Sequence, residues 1–177
     1  MRILVTAASR HGSTAEIATR IGETLANHTW LDVTVRAPHD LDDVAGYDAY
    51  VLGSAIYMGH WLEAARDLVQ RYDGWRDHPV WLFSSGPIGD PPKPDEQPVD
   101  VGAVVATTHA REHRLFSGAL RHDRLGFAER AMVAALRAPY GDFRDWAAVD
   151  AWANDIAEML GGLTHARAGT EMGGRPT

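Results

Sequence analysis

Apolar positions along the chain fall into two alternating rhythms. Short unbroken apolar runs at residues 2–8, Tyr50-Val51-Leu52-Gly53 and Val80-Trp81-Leu82-Phe83 read as strands buried on both faces. Leu31-Asp32-Val33-Thr34-Val35 alternates instead, which predicts a strand with one wetter face nearer a sheet edge. Between these runs apolar residues recur at helical spacing. Ile17, Ile21 and Leu25 predict a helix over 14–27, and Leu62, Ala65, Leu68 and Val69 predict one over 61–72. Residues 100–108 suit a short helix, Arg114 to Leu120 a fifth strand, and 146–160 a final amphipathic helix. Such β–α alternation predicts an α/β fold with a doubly wound parallel sheet and helices on both faces. The Pro-rich, acidic stretch Asp90 to Pro98 reads as a surface loop. Residues 1–160 read as one domain, and the Gly-rich segment 161–177, which lacks an apolar period, as a mobile tail.

Composition narrows the setting. A chain of 177 residues with 45% hydrophobic and 23% charged residues has the makings of a single packed core. It contains no cysteine, so disulfides, thiolate metal sites and cysteine nucleophiles are excluded, and redox chemistry has to come from a bound cofactor. The formal net charge of −7 argues against general nucleic-acid binding and suits a basic protein partner. No apolar run approaches the roughly 18 residues of a membrane span, and Met1-Arg2 leads directly into a strand, so the expected location is the cytoplasm, with no indication of a peripheral membrane contact.

In a sheet of this kind ligands bind beyond the carboxyl ends of the strands, where strand order reverses. The first such loop reads Ser9-Arg10-His11-Gly12-Ser13-Thr14. Hydroxyls and a glycine between a strand and a helix offer several donors to one anion, and the helix N-terminus adds its own. The loop lacks both the lysine of triphosphate-binding loops and the glycine spacing that admits a pyrophosphate. A single terminal phosphate, as on FMN, fits it better. The same residues would also serve as an ordinary helix cap, with Ser13 or Thr14 as N-cap. The loops after the third and fourth strands, Ser54-Ala55-Ile56-Tyr57-Met58-Gly59 and Ser84-Ser85-Gly86-Pro87, are rich in small and hydroxyl residues. The former adds apolar and aromatic groups on which a flat isoalloxazine ring could pack. Trp61 beside it could equally cover the start of the following helix.

On these residues the chain resembles a known family. Val5 to Ile21, VTAASRHGSTAEIATRI, is similar to the FMN-phosphate signature of flavodoxins, with Thr6 and Ala7 in place of larger residues. GSAIYMGHW from Gly53, FSGAL from Phe116 and GFAERAMVAAL from Gly126 resemble a narrower branch, the flavodoxin-like menaquinone-dependent protoporphyrinogen IX dehydrogenases, with Met58 at a position where that branch has a tyrosine. The resemblance implies a flavodoxin-like sheet of order 2-1-3-4-5 and reversible reduction of FMN. It also implies phosphate contacts from Ser9, Arg10, His11, Gly12, Ser13 and Thr14. Ring contacts would come from Ser54, Ala55, Ile56, Tyr57, Met58 and Gly59 and from Ser84, Ser85, Gly86 and Pro87. His122, Arg124, Arg130 and Arg137 could meet a propionate-bearing substrate or an acidic surface.

Other chemistry finds less support. His109 and His113 stand four apart with Glu112 between them, but no third metal ligand accompanies them. The strand ends Ala7-Ala8-Ser9 and Gly53-Ser54 lack the aspartates of a phospho-accepting receiver, and no G-x-S-x-G elbow marks a hydrolase. The sequence therefore predicts an FMN-dependent oxidoreductase that passes electrons between a small-molecule, quinone or tetrapyrrole substrate and an acceptor. The alternative is a single-electron carrier that docks on a redox protein through its acidic surface. A binding module without flavin is a third reading.

Overall fold

The structure, a computed structural model, describes residues 1–86, 88–89, 98–135 and 137–172. Strands β1 (Arg2–Ala8), β2 (Asp32–Arg36), β3 (Ala49–Tyr57), β5 (Val80–Ser85) and β6 (Glu112–Phe116) form a parallel sheet of order β2-β1-β3-β5-β6. A two-residue strand, β4 (His60–Trp61), turns back antiparallel on the end of β3. With β4 set aside, the order is the doubly wound 2-1-3-4-5 that the family resemblance implies. The reversal falls between β1 and β3, and both carboxyl ends open there.

Pleating sends successive residues of each strand to opposite faces, and both faces are covered. On one, Ile3, Val5, Val51, Trp81 and Phe83 pack with α1 (Ser13–Ala26) through Ile17, Ile21 and Leu25, and with α5 (Trp146–Met172) through Val149, Trp152 and Ile156. On the other, Leu4, Tyr50, Leu52 and Leu82 pack with α2 (Glu63–Arg71) through Leu68 and Val69, and with α3 (Val101–Thr108) through Val101 and Val104. β2 at the sheet edge is the wetter strand, as its alternation predicts. Arg20 on α1 makes a two-pronged contact with Asp150 on α5, at 2.7 and 2.6 Å, and Thr24 Oγ1 donates to the same carboxylate.

The helix expected over 61–72 begins only at Glu63, Trp61 belonging to β4, and the structure departs further from expectation at two places. The predicted fifth strand over 114–120 is divided: β6 ends at Phe116, the backbone of Gly118 passes close to Gly86, and β7 (Ala119–Leu120) pairs antiparallel with β8 (Gly141–Asp142) in a separate ribbon. Between β7 and β8 lies α4 (Phe127–Ala135). The last helix does not stop at Leu160 but runs to Met172, with Leu163 packed against the core and Gly161 beside the Trp30 ring. Residues 173–177 of the predicted tail lie outside the described residues, as do 90–97 of the predicted loop.

Candidate functional site

At the switch point, Ala8 leads into a loop that reaches α1 through Gly12. This glycine is the helix N-cap, at φ 90°, a left-handed conformation that favours glycine. Neither Ser13 nor Thr14 caps the helix; both lie within it, and no side-chain cap is made to its first-turn N–H groups. The first-turn N–H groups therefore remain open, and the positive end of the helix faces the loop. The Gly12 N–H donates to Ser9 Oγ at 3.1 Å, and the Ala119 N–H donates to Ser13 Oγ at 3.0 Å. Each hydroxyl accepts in these bonds, so its own O–H stays available to an anion.

A cavity of about 210 Å³ opens above this loop. Ser9, Arg10, His11, Ser13 and Thr14 form one end. Ala55, Ile56 and Tyr57 at the end of β3, with Ser85 at the end of β5 and Gly86 just after it, form a second wall. Close packing shapes that wall: a Cβ on Gly86 would meet Ile56 Cβ at 2.9 Å. The sequence-selected loops thus converge, though not every residue in them lines the cavity. Ser54 is fully buried, its Oγ donating to the Ala55 carbonyl and accepting the Leu62 N–H. Ser84 is also fully buried; it accepts the Trp61 indole N–H at 2.7 Å and sits 2.8 Å from His113 Nε2. Met58 and Gly59 form the β3–β4 turn, with Met58 84% exposed. Pro87 lies outside the described residues. Trp61 is a core residue over the start of α2, and His113 faces Ser84 from β6 while His109 ends α3, so the two histidines do not form a pair.

The remaining wall comes from residues that sequence reasoning did not assign to the site. Gly118, Ala119, Leu120, Leu125, Glu129 and Val133 line the cavity from the ribbon and α4. Glu129 Oε1 lies 3.1 Å from Arg10 Nε and 3.1 Å from His11 Nε2. The Gly126 N–H holds the Glu129 carboxyl below its ordinary range, partial burial opposes this, and His11 and Arg10 add to the lowering. Arg10 in turn stacks over the Tyr57 ring at 4.4 Å. Arg144, whose side chain is almost fully buried, joins Asp142 of β8 to Glu16 of α1 and donates to the Ser13 carbonyl. The phosphate-loop candidate is therefore clamped from outside by the segment between β7 and α5.

The residues suit a flavin mononucleotide. One end offers hydroxyls, open N–H groups and a left-handed glycine to a phosphate, and the other offers small, apolar and aromatic walls to a flat ring. The volume is below the roughly 300–1,000 Å³ common for ligand pockets, with α4 and the stacked Arg10 and Tyr57 among its walls.

Fold and cleft together define an α/β protein with a mononucleotide site at its topological switch point. Residues 4–146 match the flavodoxin domain family, so the chain belongs to that family, and FMN is its cofactor. No curated protein sequence matches it. Among solved structures it is similar to a flavodoxin from the domain Archaea, at 16% identity and a TM-score of 0.60 over 90% of this chain and 99% of that one. A flavodoxin of Streptococcus pneumonia TIGR4 is similar at 18% identity and a TM-score of 0.59, over 92% of this chain and 99% of that one. The rubredoxin oxygen:oxidoreductase of the anaerobe Desulfovibrio gigas is similar at 12% identity and a TM-score of 0.61; 91% of this chain is covered but only 36% of that protein. These likenesses establish the shared fold. Among the described residues no helix is long and apolar enough to cross a membrane.

Proposed function

We propose that the protein is an FMN-dependent oxidoreductase that works on a small-molecule or quinone-like substrate. The observation that carries this reading is the α4 segment: Leu125, Glu129 and Val133 wall the cavity on the side away from the sheet. A cofactor ring enclosed on that side would meet a substrate in a pocket rather than across an open edge. FMN, when bound, supplies the electron-accepting chemistry that the side chains of a cysteine-free chain lack.

The chain's own residues bind, orient and exclude water. Ser9, Ser13 and Thr14, with the first-turn N–H groups of α1, hold the phosphate, Arg10 offsets its charge and His11 offers a ring nitrogen beside it. Ala55, Ile56 and Tyr57, together with the adjacent Ser85 and Gly86, hold the ring from the sheet side. Ser54 and Ser84 act behind them: one ties the start of α2 to β3, and the other ties Trp61 to β5 and β6. Leu125 and Val133 keep water from the cavity. The resemblance of FSGAL and GFAERAMVAAL to the protoporphyrinogen dehydrogenases makes a tetrapyrrole one substrate to test, with His122, Arg124, Arg130 and Arg137 as candidate carboxylate partners.

The acidic charge of −7 favours a second reading, a one-electron carrier that docks on a basic redox protein in the cytoplasm. Visible spectra with and without added FMN, followed by anaerobic stepwise reduction, separate the two. Reduction in one two-electron step supports the oxidoreductase, and assays with quinones and protoporphyrinogen IX then identify the substrate. Two well-resolved one-electron steps support the carrier. No flavin binding overturns both.

A further inference from the structure

The β3–β4 turn is unusual in its backbone. Met58 sits at φ 52° and Gly59 at φ 81°, so two consecutive residues are left-handed, as in a tight two-residue hairpin. Asn-Gly or Gly-Gly commonly supplies that conformation; a methionine at its first position is strained and needs surrounding structure to hold it. The turn matters because β4 backs the cavity wall: His60 pairs with Tyr57 and Trp61 with Ile56.

What holds β4 comes from a distant part of the chain. Asp100, the residue just before α3, directs one carboxylate oxygen to His60 Nδ1 at 3.0 Å. The other oxygen accepts the Trp61 backbone N–H at 2.9 Å, with Arg66 3.8 Å away. Next to it, the Val99 N–H donates to the Gly59 carbonyl at 2.9 Å. Asp100 stands at an N-cap position yet makes no side-chain cap to its own helix, so its bonding capacity is spent on the hairpin. Burial pushes the Asp100 carboxyl upward, but the His60 ring and the Trp61 N–H outweigh that and keep it below the ordinary carboxylate range.

We infer that Asp100 is a positioning residue for the cofactor: by bonding both residues of β4 it holds the strained Met58–Gly59 turn and, through the β4 pairing, sets the position of the Ile56–Tyr57 wall. The inference rests on the flavin reading of the cavity. It is carried by a bridge across 40 residues of sequence that meets both members of a two-residue strand.

The test compares Asp100→Ala and Asp100→Asn with the unaltered protein, loaded with FMN and free of it. Amide exchange at Trp61 and Val99 reports the turn, and FMN affinity with the two one-electron reduction potentials reports the cofactor site. For Asp100→Ala, Trp61 exchange should quicken by about tenfold or more, FMN should bind about tenfold more weakly, and the separation between the potentials should change. Asp100→Asn keeps an acceptor for the Trp61 N–H and should lie between the two in every measurement. Slow Trp61 exchange in Asp100→Ala would overturn the clamp. Fast exchange with unaltered affinity and potentials would overturn the link to the cofactor. An unaltered protein that binds no FMN would instead remove the flavin reading, with the exchange arm still deciding whether Asp100 holds the turn.

Discussion

The Glu129 carboxylate reaches from α4 to within 3.1 Å of His11 Nε2, which places an acidic group beside the residues proposed to meet a phosphate. The same oxygen meets Arg10, and Gly126 donates to the other oxygen, so α4 is joined to the phosphate loop through one side chain. An incoming dianion competes with Glu129 for Arg10 and His11 and is repelled by it.

Glu129→Gln removes that repulsion while keeping the shape of the side chain. FMN should bind about two- to tenfold more tightly at low salt, with the gain shrinking as ionic strength rises. Amides of α4 should exchange faster in the flavin-free protein. Fluorescence titration at two salt concentrations checks the first expectation; a gain that is independent of salt would contradict the electrostatic account.

Stability should fall with pH through His113. The Trp61 indole donates to Ser84 Oγ, so the Ser84 hydroxyl is free to donate to His113 Nε2, an arrangement that calls for a neutral ring. Burial lowers the His113 pKa, and the nearby Glu112 offsets this only in part. The unfolded chain takes up a proton near pH 6.5 that the folded protein accepts only at lower pH. The contribution is thus complete above about pH 6.5 and is lost as pH falls from there through the folded value. Melting temperature measured from pH 8 to pH 5 should drop across that window, and His113→Gln should flatten the drop.

Ser84→Ala tests the same network at neutral pH. It leaves the buried Trp61 N–H and His113 Nε2 without their shared partner, at a cost of about 1–3 kcal/mol. Chemical denaturation measures this directly. A loss below about 0.5 kcal/mol would mean that water replaces the hydroxyl.

Gly12→Ala separates backbone strain from crowding. A Cβ there would meet nothing closer than Arg124 Nη1 at 3.8 Å, so there is room for it, but φ 90° is costly for any residue with a side chain. The variant should lose about 1–2 kcal/mol of stability, and FMN affinity should fall as the first turn of α1 shifts. Thr14→Ala, which leaves the backbone free of new strain, should weaken FMN with little change in melting temperature.

At Gly53 the opposite holds. A Cβ would stand 2.2 Å from a ring carbon of Phe83, which is fully buried. Gly53→Ala should cost about 1–3 kcal/mol from overpacking, and Phe83→Leu in the same chain should recover part of it. A double-variant cycle by denaturation measures that recovery; strict additivity would contradict direct contact.

Local pattern carried much of this structure. The apolar run over 2–8 and the helical spacing of Ile17, Ile21 and Leu25 place β1 and α1 almost residue for residue, and the hydroxyl-rich loop between them lies at the switch point. Long-range pairing was less legible. Residues 114–120 look like one strand because nothing in their pattern records that Gly118 must pass the backbone of Gly86 and that Ala119 then pairs with Asp142. Leu163 and Gly161 show no helical period of their own, yet α5 continues through them because the core and Trp30 offer a surface there.

The sequence by itself determined the element order, the parallel sheet and the three loops at its carboxyl edge, because burial on both faces and helical spacing are written in neighbouring residues. Tertiary structure alone decided which residues of those loops face the cavity, that Glu129 and Val133 wall it, and that Asp100 bridges both residues of β4. These contacts join residues far apart in the chain, and their geometry depends on how helices and strands pack, which no local periodicity encodes.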